Sequence, residues 1–598
     1  MNLHGVYHQP NSNYAYAYDK ETLHLRLRTV KGEVERVVIR SGDPYLWLAG
    51  GGGGNLNAEG ASGWACEESE MKKEASTDLF DFWIVEIKPP FRRLRYGFIL
   101  FSGQEQVFYG ENQIVDLVKT EDENVLEQIG NYFCFPFLNG ADVFQAPEWV
   151  KSTVWYQIFP ERFNNGNMLL NPEGTLEWGS CDPTGDSFFG GDLQGIMDKL
   201  DYLQELGING IYLCPIFTAP STHKYDTSDY FEIDPQFGDK ETFKKFVEMA
   251  HERGIKVMLD AVFNHCGAEF EPWKDVLKYG ENSSFKDWFH IRKFPLVESG
   301  QLNYDAFAFV EKMPKMNTEN PEVLDYFLQV GRYWVSEFDI DGWRLDVANE
   351  VDHAFWRIFR KELKEIKSDI YILGEIWHDS RPWLQGDQFD AVMNYPLSDA
   401  VIKFIAKGKL SSSEFMIAIN KIRTQYMRSV SEVNFNLLDS HDTERLLTVC
   451  KGDKDKALLA YTFLMTQTGS ACLYYGSEIA LDGGADPLCR RCMIWDEKKQ
   501  DLNFYAFLKK LIKIRREFPA MSSHDLEWIE VDDEKGIIIF QKTYQDESIY
   551  VVLNNQEYDQ AIDLSKLPEN RYTDLLTDKS VDQNQLLLIK AYSAALLK

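Results

Sequence analysis

The stretch KETFKKFVEMAHERGIKVMLDAVFNH (240–265) contains the unit from which the middle of the chain is built. Its first part spaces apolar residues as an amphipathic helix does, and its second part, KVMLDAV (256–262), is a short apolar segment. Such a segment next to a helix is typical of a strand that is buried in a parallel sheet. The stretch therefore predicts a helix and then a buried strand, with Asn264 and His265 following that strand.

Segments of this kind occur eight times between residues 151 and 521. Amphipathic patterns precede many of them, as in PEVLDYFLQVGRYWVSEF (321–338). Strands that alternate with helices indicate parallel βαβ units, and eight units predict an α/β fold of the (β/α)8 TIM barrel type. The eight segments are VWYQIFP (154–160), GIYLCP (210–215), KVMLDAV (256–262), GWRLDVA (342–348), YILGEIW (371–377), AVMNYP (391–396), VNFNLLDS (433–440) and ACLYYG (471–476).

The barrel segments are flanked and interrupted by regions with other sequence patterns. About eighty residues separate the third and fourth segments, so we expect an inserted domain at 266–320 on the third βα loop. Residues 1–125 alternate β-branched and aromatic residues with polar turns, which predicts an N-terminal β-sandwich, and 126–150 is a linker. Residues 522–598 predict a C-terminal β-domain. The glycine run AGGGGGN (49–55) is typical of a flexible loop.

Composition and charge exclude several classes of partner. The formal net charge is -31 over 598 residues, which repels nucleic acid and anionic membrane surfaces. No stretch of about 18 apolar residues occurs, so a membrane span is not expected. The N-terminus lacks the basic start and apolar core of a secretory signal, and we therefore expect a cytoplasmic protein.

Nine cysteines are scattered along the chain, and the close pair Cys489 and Cys492 has the spacing of a metal or redox motif. Zinc would need a second pair of cysteines or suitably spaced histidines, and none follows. We therefore expect buried free thiols, as in a reducing compartment.

Polar residues follow four of the eight predicted strands. Because the carboxyl ends of parallel strands form one rim of a barrel, we expect these side chains to lie close together. Any one of them could have a structural role alone, but their convergence favours a catalytic site. They are Asn264 and His265 after the third strand, Arg344 and Asp346 on the fourth, Glu375 on the fifth, and Ser440, His441 and Asp442 after the seventh.

Carboxylates on this rim are suited to acid/base and nucleophilic chemistry on a neutral substrate. Glycoside hydrolysis needs two carboxyl groups, one to protonate the leaving oxygen and one to attack or to activate water. Arg344 precedes Asp346 by two residues and points to the same side of the strand, so we expect it to keep Asp346 ionised. Glu375 lies in the apolar frame LGEIW, where burial would raise its pKa, as an acid requires. His265 and His441 could donate hydrogen bonds to sugar hydroxyls.

Five segments in order resemble the motifs of the α-amylase family. One of them, MPKMN, looks like the extra motif that marks the neopullulanase, cyclomaltodextrinase and maltogenic amylase group. The resemblance covers essentially the whole chain, including the N-terminal β-domain. The segments are DAVFNH (260–265), MPKMN (313–317), GWRLDVANE (342–350), GEIW (374–377) and LLDSHDTER (437–445).

The resemblance implies a retaining hydrolase that cleaves α-1,4 bonds in cyclodextrins, pullulan and maltodextrins, with some transglycosylation. It implies that Asp346 is the nucleophile, that Glu375 is the acid/base, and that Asp442 stabilises the distorted sugar and the transition state. The remaining substrate-binding residues that it implies are His265, Arg344, His441 and Tyr225 beside the scissile bond, and Asn349, Glu350 and Trp377 on the acceptor side. For Trp377, packing in the barrel is the alternative role.

The resemblance also implies a bound ion and a second subunit. A structural Ca²⁺ would lie near the first barrel loop, where the oxygen-bearing residues suit calcium, although loop capping by asparagines would use the same residue types. A homodimer would form through the N-terminal domain, which would cover the active site of the partner and favour small or cyclic substrates. The expected calcium residues are Asn165, Asn167, Asn171, Gly190 and Asp192.

Two other functions are compatible with the same fold. One is an enzyme that cleaves α-1,6 bonds or acts on sucrose-type substrates. The other is a non-catalytic glucan-binding protein, which the presence of all three carboxylates disfavours.

Overall fold

The computed structural model describes residues 1–47, 64–122 and 124–598. The glycine run at 49–55 therefore lies outside the described residues. The chain forms two compact units, one of residues 1–145 with 416–430 and one of residues 146–415 with 431–598. Each unit is described separately below.

The larger unit contains an eight-stranded parallel sheet, which confirms the predicted barrel. All eight predicted segments contain a strand. The strands are β1 (Val154–Ile158), β2 (Gly210–Leu213), β3 (Lys256–Ala261), β4 (Gly342–Leu345), β5 (Tyr371–Gly374), β6 (Ala391–Val392), β7 (Phe435–Asn436) and β8 (Ser470–Tyr474). Their order in the sheet is β6-β5-β4-β3-β2-β1-β8-β7, and a parallel bridge between Met393 and Phe435 joins the two ends.

The helix before β3 shows how the local sequence sets these elements. Asp239 caps its first turn by accepting a hydrogen bond from the Thr242 backbone N–H at 2.8 Å. Phe243, Phe246 and other apolar residues of the helix form one buried face. Gly254 adopts a positive φ of 69° just after the helix, where the chain turns into β3.

Along the sequence, α-helices of the larger unit lie between the barrel strands and on either side of them. They are Pro160–Phe163, Leu193–Met197, Leu200–Leu206, Lys240–Glu252, Glu271–Tyr279, Pro321–Phe338, His353–Ile366, Tyr395–Val401, Leu446–Val449, Lys454–Met465 and Leu502–Glu517; Ser412–Gln425 and Arg428–Ser431 lie at or within the segment assigned to the other unit.

The long connection between β3 and β4 is folded against the end of β3. It contains the helix Glu271–Tyr279 and a two-stranded ribbon, Val297–Glu298 with Gln301–Leu302. A bridge between His265 and Lys315 joins the end of this connection to the residues that follow β3.

The C-terminal part of the larger unit is a β-structure. It has a six-stranded antiparallel sheet and a separate two-stranded ribbon. Its core contains Ile539, Val552 and Leu597, all nearly or fully buried. The sheet strands are Leu526–Asp532, Ile537–Tyr544, Glu547–Asn554, Arg571–Asp574, Lys579–Asp582 and Ser593–Leu597, and the ribbon pairs Gln560–Ile562 with Leu587–Ile589.

The N-terminal unit contains two antiparallel sheets with a shared apolar core. The strand Phe133–Phe135 pairs with one of them, although it lies in the segment that we expect to be a linker. Three residues are too few to give a recognisable alternation. One sheet has the strands Ala15–Ala17, Leu23–Val30, Lys72–Ser76 and Phe80–Ile87, and the other has Arg36–Gly42, Glu67–Glu70, Leu94–Ser102, Glu105–Tyr109, Ile114–Asp116 and Phe133–Phe135.

Two further features bear on the sequence predictions. Within the described ranges, no helix has both the length and the apolar character of a membrane span. All nine cysteines are described and free, and six are buried, but Cys181 is exposed rather than buried as expected.

Candidate active site

A cavity of about 420 Å³ opens at the carboxyl ends of the barrel strands. It brings together Asp346 from the end of β4, Glu375 from the end of β5 and Asp442 from the loop after β7, as the sequence predicts. Arg344 and His441 contact these residues but do not themselves line the cavity. The side chains around the cavity are His223, Tyr225, His265, Phe307, Met313, Asp346, Val347, Asn349, Glu375, Trp377, Asp442, Asp486 and Arg490.

Arg344 is fully buried and connects the carboxylates of three strands. Its Nη1 donates to Asp346 Oδ1 at 2.8 Å and to Asp260 Oδ1 at 2.9 Å. Its Nη2 lies 2.9 Å from Glu375 Oε1. The guanidinium is thus shared between the two predicted catalytic carboxylates and a third one beneath them, rather than paired with Asp346 alone.

The direction of the Asp346 pKa differs from the sequence-based expectation. Burial raises the pKa of Asp346 well above its ordinary value; Arg344 opposes this rise, and the nearby Glu375 and Asp260 add to it. Burial likewise raises the pKa of Asp260 to about 6 and raises that of Asp442. Arg344 therefore opposes the rise in the Asp346 pKa without cancelling it, because its guanidinium is shared with Asp260 and Glu375.

Glu375 is held by the backbone turn that follows β4. The Val347 N–H donates to Glu375 Oε2 at 3.1 Å. Val347 has a φ of 44°, a conformation that is costly for a β-branched residue and that is found where the surrounding fold enforces it. This turn aims the amide at Glu375 and so fixes its carboxyl group relative to Asp346.

The two predicted histidines are neutral. Burial lowers the pKa of His441 well below its ordinary value and lowers that of His265 to about 3. Gln157 Nε2 lies 2.7 Å from His441 Nδ1, and His441 Nε2 contacts the Tyr225 hydroxyl and lies 3.2 Å from Asp442 Oδ2. The buried Nε2 of His265 has no partner among the described residues, so it is available to a ligand in the cavity.

Tyr225 and Trp377 form aromatic walls of the cavity. The Tyr225 hydroxyl donates to Asp260 Oδ2 at 2.9 Å, which fixes its ring. Trp377 is 52% exposed, and its indole stacks on Tyr395 with ring centroids 3.5 Å apart. This exposure argues against barrel packing as its role and leaves an apolar face open to a ligand in the cavity.

Asn349 and Glu350 lie on a short 3-10 helix, Ala348–Glu350, directly after the Val347 turn. Asn349 borders the cavity. Glu350 is next to it, with a half-exposed carboxylate 3.1 Å from Lys315 Nζ.

The five predicted calcium residues come together, although none of them borders the cavity. Asn165 Nδ2 donates to Asn171 Oδ1 at 3.0 Å, and a Cβ added at Gly190 would collide with these two side chains. Asp192 accepts from the backbone N–H of Asn167 at 2.7 Å, and burial raises its pKa. The Asn165 Oδ1 is buried without a hydrogen-bond partner. Within the described ranges, no cluster of three or more His, Cys, Asp or Glu side chains is arranged to hold a metal ion.

Sequence reasoning missed several residues of this site. Asp260 lies in the motif DAVFNH, but its hydrogen bond with Arg344 depends on the register between β3 and β4. Arg490 and Asp486 come from the loop after β8; Arg490 Nε donates to the His441 carbonyl at 2.9 Å, and Nη1 lies 3.0 Å from Asp486 Oδ1. No spacing within that loop indicates that it reaches the cavity.

Three family profiles match the chain, in the order of its parts. "Alpha amylase, N-terminal ig-like domain" matches residues 1–139, "Alpha amylase, catalytic domain" matches 157–524, and "Maltogenic Amylase, C-terminal domain" matches 526–594. The catalytic match alone spans more than half of the chain.

Characterised relatives are similar over nearly their whole length. A cyclomaltodextrinase of Geobacillus thermopakistaniensis (strain MAS1) is 55% identical over 93% of this chain and 91% of its own. An intracellular maltogenic amylase of Bacillus subtilis is 48% identical over 99% and 98%, and neopullulanase 2 of Thermoactinomyces vulgaris is 42% identical over 100% and 99%. A solved cyclomaltodextrinase structure superposes with a TM-score of 0.92 at 45% identity, over 100% of both chains.

Proposed function

The chain belongs to the α-amylase family of glycoside hydrolases, and from that premise we propose that it degrades small α-glucans in the cytoplasm. It cleaves α-1,4 bonds of cyclodextrins, pullulan and maltodextrins with retention of configuration, and it transfers part of the glycosyl groups to sugar acceptors. The observation that carries this function is that the guanidinium of Arg344 holds Asp346 and Glu375 next to each other. Its Nη1 lies 2.8 Å from Asp346 Oδ1, and its Nη2 lies 2.9 Å from Glu375 Oε1.

The reaction proceeds by two displacements. Asp346 attacks the anomeric carbon while Glu375 gives its proton to the leaving glycosidic oxygen. A water or a sugar hydroxyl then attacks the glycosyl–Asp346 ester, and Glu375 takes the proton of that nucleophile. Arg344, which donates to Asp346 Oδ1 at 2.8 Å, favours the ionised form that the attacking group requires.

The other polar groups bind the sugar next to the bond that breaks. The free Nε2 of His265 donates to a hydroxyl without adding charge. The neutral His441 would bind a hydroxyl by exchanging its Nε2 contact with Tyr225 for one with the sugar. Asp442, at 3.2 Å from His441, faces the positive charge that develops on the ring in the transition state. Trp377 offers its open face to the sugar on the leaving side.

Two features of the resembling group complete the proposal. A second copy of the chain would form a homodimer through the N-terminal unit and would narrow access to the cavity, which favours cyclic and short substrates over starch. Light scattering during size-exclusion chromatography tests this assembly: a mass of one chain would contradict it. The name of the Bacillus subtilis relative supports the cytoplasmic location.

We also propose a structural calcium ion at the first barrel loop. The residues fit it, because the orphaned Asn165 oxygen, the Asn171 amide oxygen and the Asp192 carboxylate are hard oxygen ligands, and Asn167 and Gly190 can supply carbonyls. When bound, the ion would neutralise Asp192 and crosslink the loop. Chelator should therefore lower the Tm; equal Tm values in EGTA and in Ca²⁺ would contradict the proposal.

Initial rates on β-cyclodextrin and soluble starch, measured at equal mass concentration, test the substrate class. We expect clear preference for the cyclodextrin, and preference for starch would overturn that part. Product chromatography on pullulan tests the bond: panose indicates α-1,4 cleavage, whereas maltotriose indicates α-1,6 cleavage. Glu375→Gln, assayed in parallel, measures the background, since this variant lacks the acid.

A further inference from the structure

Lys224 directly precedes Tyr225 and carries its ammonium inside the protein. The side chain is 2% exposed, and its Nζ lies 2.8 Å from the Ala219 carbonyl, 3.2 Å from Gln236 Oε1 and 2.8 Å from Asp234 Oδ2. An ammonium has three protons, so these three oxygens use its full donor capacity. Burial lowers the pKa of Lys224, and Asp234 opposes this fall. The ammonium is therefore a fixed internal group of the barrel unit.

The backbone of Lys224 has a conformation that is costly for this residue type. Its φ is 64°, in the left-handed region that glycine adopts freely and that residues with a Cβ adopt rarely. Neighbouring side chains hold this conformation, because the Lys224 N–H donates to Ser221 Oγ at 3.0 Å and the Lys224 carbonyl accepts from Thr227 Oγ1 at 3.1 Å. A glycine would relieve the backbone, so the strain indicates that the position requires the lysine side chain.

The contacts of the ammonium close a loop that carries part of the cavity wall. Residues 219–228 connect the two strands of a short antiparallel ribbon in the connection after β2. His223 and Tyr225, on either side of Lys224, both border the cavity. The ammonium joins the tip of this loop to its first residue and to the segment that follows the ribbon. The ribbon pairs Phe217–Thr218 with Asp229–Ile233.

The Tyr225 ring is held at both of its ends. At the outer end, its hydroxyl donates to Asp260 Oδ2 at 2.9 Å and contacts His441 Nε2. At the backbone end, the Tyr225 N–H donates to His223 Nδ1 at 3.0 Å, within the loop itself. In the proposed complex the sugar replaces the His441 contact, so the ring is then held by Asp260 and by the loop. A loop that shifts would therefore tilt the ring.

We propose that Lys224 is a positioning residue that locks the loop 219–228 and thereby holds the Tyr225 ring against the sugar next to the bond that breaks. The inference rests on the proposed function for the identity of that ligand. Lys224 itself does not border the cavity, so it acts through Tyr225 and not on the substrate directly.

Two sets of changes at Lys224 separate the ammonium from the backbone strain. Lys224→Met combined with Asp234→Asn removes both charges of the pair and leaves no buried carboxylate unpaired. Lys224→Gly removes the ammonium and relieves the positive φ. The control is Lys364→Met, which removes another largely buried lysine of the barrel unit, whose Nζ lies 3.0 Å from Asp390 Oδ2. We expect both changes at Lys224 to lower kcat/KM for a chromogenic maltotrioside by about tenfold, the scale of a lost ring stack, and the control to match the wild type.

The split between KM and kcat distinguishes positioning from general damage. A misplaced ring weakens the bound sugar and the transition state alike, so the change should lie mainly in KM. A smaller folded fraction would lower kcat alone, and that result would overturn the inference. Wild-type kinetics in Lys224→Gly would also overturn it, because the ammonium would then not be needed.

The Tyr225→Ala background tests whether Lys224 acts through the ring. Without the ring, the changes at Lys224 should lower kcat/KM by less than about twofold further, because the group that they position is gone. A full tenfold fall in this background would place the effect elsewhere and would overturn the inference.

Hydrogen exchange provides a readout that needs no active enzyme. Peptides within residues 219–228 should exchange faster in both Lys224 variants than in the wild type, and at the wild-type rate in Lys364→Met. Wild-type exchange in the Lys224 variants would show that the ammonium does not lock the loop. Faster exchange, in a protein whose wild type cleaves no glucan, would contradict the proposed function and not the lock.

Discussion

Replacing Arg344 by Met should make the stability of the barrel unit strongly dependent on pH. The variant removes the guanidinium that contacts Asp260, Asp346 and Glu375, and it leaves a side chain of similar length. Without that cation, three buried carboxyl groups must either ionise unpaired or keep their protons.

The size of the effect follows from the burial of the site. Arg344 is fully buried, and the Asp260 and Asp346 pKa values are raised even in its presence. Removing one partner of a buried ion pair costs roughly 3–5 kcal/mol at a pH where the other partner is charged. With an unfolding entropy of about 2.1 cal/mol/K per residue and a unit on the order of 400 residues, this corresponds to a fall in Tm of about 4 °C.

The Tm difference between wild type and Arg344→Met should depend on pH with a definite sign. A carboxyl group whose folded pKa is raised above its unfolded value contributes fully below the unfolded pKa, and its contribution is lost as pH rises through the folded pKa. Arg344→Met raises those folded pKa values further. The Tm difference between wild type and variant should therefore be small at pH 5 and larger at pH 8, measured by scanning calorimetry. A difference that is constant, or larger at pH 5, would refute the raised pKa values of Asp260 and Asp346.

Three other expectations concern separate parts of the molecule. Asp341 directly precedes β4, where burial opposes ionisation but His251, Lys367 and Lys256 together hold its pKa far below the usual range. Asp341→Asn should therefore lower the Tm at pH 7 with kcat unchanged, and this loss of Tm should shrink as pH falls toward the folded pKa. Lost activity with normal stability would contradict this expectation. In the N-terminal unit, burial lowers the pKa of His8 to about 4, so urea unfolding should show about 3 kcal/mol of stability lost between pH 6.5 and 4, and His8→Gln should lose much less over that range. Trp377→Ala should lower kcat/KM for β-cyclodextrin by about tenfold through the lost stacking surface, with an unchanged Tm; equal kinetics would remove this residue from the binding site.

The barrel could be predicted because its strands are buried on both sides. Such strands appear in the sequence as apolar segments, and the polar residues that follow them fall on one rim by the geometry of parallel strands. Strand lengths were less well determined: β6 stops at Val392 because the next helix begins at Tyr395, with Pro396 in its first turn.

The features of the site that the sequence did not predict depend on contacts between segments that are distant in the chain. Arg490 reaches His441 from a loop whose path no local pattern describes. The left-handed turn at Val347 is imposed by its surroundings against the preference of a β-branched side chain. The direction of the Asp346 pKa could not be derived from the adjacent Arg344, because it depends on burial and on two further carboxylates.

Covalent trapping of the intermediate tests the central claim most directly. A fluorinated α-glucosyl fluoride that forms the glycosyl–enzyme rapidly and loses it slowly should add one glycosyl mass to the protein. Tandem mass spectrometry of the digested protein should place that mass on Asp346, and Asp346→Asn should acquire none. A label on Glu375 or Asp442, or turnover of the substrate by Asp346→Asn at a rate near that of the wild type, would contradict the account.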